Sequence, residues 1–244
     1  MLLKKNNKIA LIIQARMGSS RLPGKVMKPV LGIPLLEILI SRVKKSKKAD
    51  IIIVATSDKA TDDVIEELVN KTGVYCYRGS EDDVLNRYYE SARKYEVDVV
   101  VRITGDCPLM DPRLIDEMLD YYHKCQPIEY VSNTLNRSFP RGFDVEIFSF
   151  KSLKDAANKA KELYQREHVT PYIYEHNARK NYENNIDQSQ YRVTVDTQED
   201  FDLVSAIFQN YNSIDIDYAE IIDYLRGNPG AVKINQHVKQ KGLK

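Results

Sequence analysis

Apolar residues cluster in short runs separated by stretches of longer period. Residues 8–13 (KIALII), 51–55 (IIIVA) and 97–104 (VDVVVRIT) are nearly continuous apolar runs, as in strands covered on both faces. Pro34 opens a helical pattern to about residue 45, with Leu35, Ile38, Leu39 and Val43 on one side. Residues 61–69 read as a helix and 75–77 as a short strand. Ser80 followed by Asp83 resembles a capping box that starts a helix to about residue 95. Asp111 and Pro112 have the chemistry of a helix cap and first turn. Strands alternating with helices predict an α/β fold, a mainly parallel sheet with helices on both faces.

The alternation breaks near residue 130. Residues 144–148 (DVEIF) alternate like a strand, 149–161 and 166–176 read as helices, the second interrupted by Pro171, and 181–190 are polar. The segment 130–190 is therefore read as an insertion over or beside the sheet. Residues 191–195 (YRVTV) are expected to return to the sheet. Helices are expected over 197–208, with Phe201, Val204 and Phe208 inward, and over 217–225, with a polar tail at 228–244.

Composition narrows the class. The chain has 244 residues, enough for one sizeable core and short for two, so it is read as a single domain, 1–244. A net charge of +1 gives no reason to expect nucleic acid or an anionic membrane as partner. The tyrosines are scattered and form no stacking platform for a single strand. Cys76, Cys107 and Cys125 lie in no CxxC pair, which disfavours a disulfide framework or a zinc site and fits a reducing cytoplasm. The apolar run at 9–13 is too short for a signal-peptide core or a membrane span.

Open parallel sheets bind ligands beyond the carboxyl ends of their strands, so the loops at 14–25, 56–58, 105–109 and 196–198 matter most. The first, "QARMGSSRLPGK", combines Arg16, Arg21 and Lys25 with Gly18, Ser19, Ser20 and Gly24. Small residues let backbone amides approach an anion and the cations neutralise it, which suits a triphosphate. The loop is not a P-loop: its glycine spacing is too long and Val26 stands where a hydroxyl is required. The loops "RITGDCPLMDP" and "VTVDTQED" place Asp106 and Asp196 at strand ends. A single such aspartate is commonly a turn or cap residue. Two on the same edge as a phosphate loop can together hold Mg²⁺, which binds through one or two carboxylates plus substrate phosphates. Cys107 has no evident partner base. Asp215-Ile-Asp217 matches a DxD pattern but reads as the cap of the following helix.

The chain resembles the cytidylyltransferases of the spore-coat SpsF type, relatives of the Kdo and acylneuraminate cytidylyltransferases. The resemblance rests on "QARMGSSRLPGK", "RGSEDDVLNRYY", "RITGDCPLMDP", "RGFDVEIFSF", "REHVTPYIY", "VTVDTQEDF" and "INQHVKQK", in this order along nearly the whole chain. It implies a Rossmann-like nucleotidyltransferase core, transfer of CMP from CTP to a sugar-type acceptor for a surface polysaccharide, Mg²⁺, and a homodimer built through the inserted segment. By the same resemblance Lys25 and Arg16 are catalytic phosphate-binding residues, with Asp106 and Asp196 as the metal ligands. Ala15, Gly18, Ser19, Arg21, Arg78 and Gly105 join them around the nucleotide. Asp144, Glu146, Arg166, Glu167 and His168 fall where acceptor contacts are expected. Two other readings of the residues stay open: a glycosyltransferase using a nucleotide sugar, and a nucleotide-binding protein without turnover.

Overall fold

A computed structural model describes residues 7–240 and residue 242. The outermost parts of the expected domain and tail, residues 1–6, 241, 243 and 244, lie outside the described residues. Strand β1 (Ile9–Gln14) runs into the anion loop, a 3₁₀ turn (Lys25–Met27) and a small hairpin of β2 (Pro29–Val30) and β3 (Ile33–Pro34). Then follow α1 (Leu35–Val43), β4 (Ile51–Ser57), α2 (Asp63–Thr72), β5 (Tyr75–Gly79), α3 (Val84–Lys94), β6 (Val99–Thr104), α4 (Pro112–Lys124) and β7 (Tyr130–Ser132). The remainder comprises β8 (Glu146–Ser149), α5 (Phe150–Lys159), α6 (Leu163–His168), α7 (Pro171–His176), β9 (Arg179–Asn181), α8 (Gln198–Tyr211), α9 (Tyr218–Gly227) and α10 (Pro229–Val232).

The main sheet has the order β5-β4-β1-β6-β8-β7-β9. The pairs β5–β4, β4–β1, β1–β6 and β7–β9 are parallel, whereas β8 runs antiparallel to both β6 and β7. Alternate residues of β1 point to opposite faces. Leu11 and Ile13 join the core under α1, α2, α4, α8 and α9, while Ala10 and Ile12 join the core under α3, α5 and α7. This is the expected doubly covered, mainly parallel sheet. The chain winds from β1 outward to β5 on one face, then crosses by α3 on the other face to β6, beside β1. The carboxyl ends of β1 and β6 thus diverge at the point where the winding reverses, where such sheets form a ligand crevice.

Several boundaries follow from capping. Asp111 caps α4 by accepting from Arg113 N (2.8 Å) ahead of Pro112, as expected. Helix α3 starts later than Ser80: Ser80 Oγ accepts from Asp83 N, and Asp83 is the residue that caps the helix, at Asn86 N (3.0 Å). The expected helix over 166–176 is two helices. It breaks at Val169, whose φ of 71° ends α6 before Pro171 opens α7.

Two expectations need correction. Residues 191–195 do not rejoin the main sheet. Their partners are loops: Arg141 N donates to Tyr191 O, Val193 N to Arg141 O and Val195 N to Asp106 O. The crossing at residue 142 requires glycine, because φ is 114° and a Cβ there would lie 2.6 Å from Thr194 N. The segment after residue 228 is not simply a polar tail either. It opens with α10, and Asn235 is 2% exposed beneath it. The inserted segment lies in the sheet itself, contributing β7, β8 and β9 to one side.

Candidate active site

The cleft at the winding reversal encloses about 420 Å³. It is lined from the anion loop by Ala15, Arg16, Gly18, Ser19, Arg21 and Lys25, and from the far loops by Gly105, Asp106 and Asp196. Glu167 and His168, at the end of α6, form part of its wall. Buried Asp62 fixes the start of the loop. Its Oδ1 accepts from Met17 N (2.8 Å), and its Oδ2 accepts from Thr56 Oγ1, Ser57 N and Ser57 Oγ at the end of β4. The far loop is set by Gly105, whose N donates to Gln14 O at 2.8 Å. The backbones approach so closely that a Cβ on residue 105 would lie 2.9 Å from that oxygen.

At the centre, Lys25 Nζ lies 2.8 Å from Asp106 Oδ2 and 2.8 Å from Asp196 Oδ1. The other oxygen of Asp196 receives Arg21 Nη2 at 2.9 Å and Arg192 Nη2 at 2.8 Å. Arg16 is half-exposed and stands 3.5 Å from Glu81. Burial alone would push the Asp106 carboxyl up. The charge and hydrogen bond of Lys25, with the Thr104 hydroxyl and the Cys107 thiol, hold it down to about 2. Burial acts to lower the Lys25 ammonium, but the two carboxylates outweigh it and the net direction is up. Both members of this ion pair therefore stay charged at neutral pH.

The donor set suits a hard divalent cation. Two carboxylates, Asp106 after β6 and Asp196 on the segment bonded to the Asp106 loop, supply oxygen ligands, and the amine between them shows that the space accepts a positive charge. Among the described residues no cluster of three or more His, Cys, Asp or Glu could hold a metal, so further ligands would have to come from substrate or water.

The remaining candidates are engaged elsewhere and do not line the cleft. Arg78 is bonded to Ser57 O, Lys59 O, Glu66 and Asp63. Asp144 is paired with Arg137 (2.5 and 2.9 Å), and Arg166 with Asp83. Glu146 is buried and accepts from Arg102, Tyr130 and Thr170. Of the DxD residues, Asp215 pairs with Lys45 and Asp217 caps α9, both outside the cleft. Cys107 is 2% exposed, and burial, followed by the Asp106 charge, pushes its thiol well up, which removes it as a nucleophile.

Five residues of the site were not singled out from sequence. Gln14, Val84, Arg87 and Thr104 line the cleft, and Arg192 holds Asp196. Only Arg192 had a local signal, since it stands four residues before Asp196 in "YRVTVD".

The sequence signature of the cytidylyltransferases matches residues 10–238. The chain belongs to the cytidylyltransferase family. An uncharacterized protein of Methanocaldococcus jannaschii is 45% identical, over 97% of this chain and 98% of the relative. The spore coat polysaccharide biosynthesis protein SpsF of Bacillus subtilis is 38% identical, over 92% of this chain and 97% of its own length. The solved structure of a cytidylyltransferase from Leptospira borgpetersenii superposes with a TM-score of 0.90 at 36% identity, covering 97% of this chain and all of that one. The sheet order and helix placement of this cytidylyltransferase are thus those of a nucleotidyltransferase of Rossmann-like fold, and it is an enzyme of that class. No helix among the described residues is long and apolar enough to cross a membrane.

Proposed function

We propose that the enzyme transfers CMP from CTP to a hydroxyl of a sugar, sugar acid or related acceptor, with release of pyrophosphate, to activate that acceptor for a surface polysaccharide. The observation that carries this reading is the convergence of Lys25 and Arg21, from the anion loop, on Asp106, after β6, and on Asp196 beside it. The acceptor hydroxyl oxygen forms a bond to the α-phosphorus and gives up its proton to solvent, as the bond from that phosphorus to the oxygen bridging to the β-phosphate breaks and its electron pair leaves with pyrophosphate. No enzyme nucleophile is needed, so positioning and charge stabilisation carry the catalysis. Lys25 and Arg16, assisted by Arg21, hold the phosphates that depart. Asp106 and Asp196 would hold Mg²⁺, which when bound would supply Lewis-acid polarisation of the phosphate. Ala15, Gly18, Ser19 and Gly105 bring backbone close to the nucleotide, and Glu167 and His168 face the acceptor.

The polysaccharide assignment is supported by similarity to the spore coat protein SpsF. A cytoplasmic homodimer through residues 130–190 completes the reading. Exposed Leu163 and Ile186, at 86% and 60%, lie in that segment and suit an interface. The test is a pyrophosphate-release screen of the four nucleoside triphosphates with Mg²⁺ against sugar acids, aminosugars and polyol phosphates. Release that requires both CTP and one acceptor class supports the reading. Sugar transfer from a nucleotide sugar, without pyrophosphate, replaces it with glycosyl transfer.

A further inference from the structure

The motif "INQHVKQK" has no role in the chemistry described above, yet its first asparagine is among the most buried polar residues of the chain. Asn235 Nδ2 donates to Arg192 O at 3.0 Å and to Asp200 Oδ1 at 2.8 Å, which uses both of its amide hydrogens. Asp200 is wholly buried. Its Oδ1 also accepts from Arg192 Nε (2.8 Å), and its Oδ2 accepts from Arg192 Nη2 and Asp196 N, each at 2.9 Å, and from Thr197 N. Arg192 is thereby held in a two-pronged grip, and the same Nη2 reaches Asp196 Oδ2. The segment closes on the site twice more: Gln240 Oε1 accepts from Arg192 Nη1 at 2.8 Å, and Lys239 O accepts from Arg21 Nη1 at 3.3 Å.

We propose that Asn235 is a positioning residue for Asp196, acting through Asp200 and Arg192. The proposal rests on the reading of Asp196 as a cation ligand. Of the three cations on Asp196, Lys25 and Arg21 belong to the loop that the proposed function assigns to the phosphates. Arg192 is the one that remains, so it sets where the carboxylate points. A planar guanidinium held by a carboxylate through two N–H groups has one orientation; held through one it swivels. Asn235 keeps Asp200 in register with Arg192 by satisfying the rest of Oδ1 and tying down the Arg192 carbonyl. The C-terminal segment is thus part of the cation site's support, as groups behind metal ligands are elsewhere.

The test is Mn²⁺ binding, read as free Mn²⁺ by electron paramagnetic resonance, with CTP at saturation and no acceptor. Asn235→Leu keeps the branching and the number of heavy atoms and removes both donors. It is expected to weaken CTP-dependent Mn²⁺ binding about tenfold or more, while CTP binding in EDTA changes by less than about twofold. Asn235→Ser, which keeps one donor, is expected to fall between and decides the matter if the leucine variant does not fold. Ile65→Val, a buried change in α2 remote from the cleft, controls for general loosening. Mn²⁺ affinity equal to wild type in both Asn235 variants overturns the proposal, as does an equal loss in Ile65→Val. Absence of CTP-dependent Mn²⁺ binding in the wild type overturns the cation-site reading itself, and this proposal with it.

Discussion

Lys25 Nζ stands 2.8 Å from Asp106 Oδ2, joining the anion loop after β1 to the carboxylate after β6 across the reversal point of the sheet. The same amine reaches Asp196, so a residue read as a phosphate holder occupies the place proposed for a metal. Two opposite effects are expected of Lys25→Met. Pyrophosphate release from CTP should fall by about 10²-fold or more, as when a charge-stabilising group is removed. Mn²⁺ binding without nucleotide should tighten, by up to about tenfold, because the carboxylates lose their internal cation. Weaker Mn²⁺ binding in the variant would show that the lysine supports the cation site instead of competing for it.

Asp106→Asn and Asp196→Asn test the ligand assignment. Each should lower turnover by about 10³-fold or more, from loss of a charge worth several kcal/mol in the transition state. Circular dichroism should be unchanged, since the amide keeps the shape of the carboxylate. Either variant releasing pyrophosphate at near the wild-type rate removes that aspartate from the metal site.

The Asp106 carboxyl also links stability to pH. Its folded value, about 2, lies below the ordinary 3.8, so the native state gains stability when the group is ionised. That contribution is fully present above about pH 4 and is lost as pH falls through about 2. It amounts to roughly 2 kcal/mol. Urea unfolding midpoints at pH 5, 4, 3 and 2 measure it, and Lys25→Met should flatten the dependence by removing the main cause of the shift. An equally steep acid limb in that variant places the effect on other carboxylates.

Gly105→Ala should separate the approach of the two loops from their charges. The added Cβ meets Gln14 O at 2.9 Å and Ala15 Cβ at 3.1 Å, so the loop carrying Asp106 must shift. A loss of about 1–3 kcal/mol in denaturant stability is expected, together with weaker Mg²⁺–CTP binding by calorimetry. Unchanged affinity would show that the loop has room to adjust.

The sheet and its helices were legible because their signals are local. Continuous apolar runs, a proline after an aspartate and a glycine-rich turn each act within a few residues. The anion loop and Asp106 could be placed on one edge because parallel topology puts the carboxyl ends of β1 and β6 together, whereas Asp196 reaches that edge through the bond of Val195 N to Asp106 O. Residues 191–195 misled because an alternating apolar pattern reports burial, while their hydrogen-bond partners, Arg141 and Asp106, are remote in sequence. Glu146 looked like a cleft residue beside Asp144, yet the pleat turns it under the sheet toward Arg102, Tyr130 and Thr170. Arg78 lies in β5, and the acids Asp63 and Glu66 hold its side chain to α2. The motif of Asn235 carried part of the resemblance, but its role was not legible because its partners stand 43 and 35 positions earlier in the chain.

The bonds of Asn235 also bear on what loss of the chain's end would do. Residues 235–240 follow the last long helix, which ends at Gly227, and reach Arg192 and Arg21 by polar contacts. None of them belongs to either apolar core. A protease that trims this end would therefore strip the clamp from Arg192 and leave the buried cores whole, so a clipped molecule would pass a test of folding and fail a test of alignment.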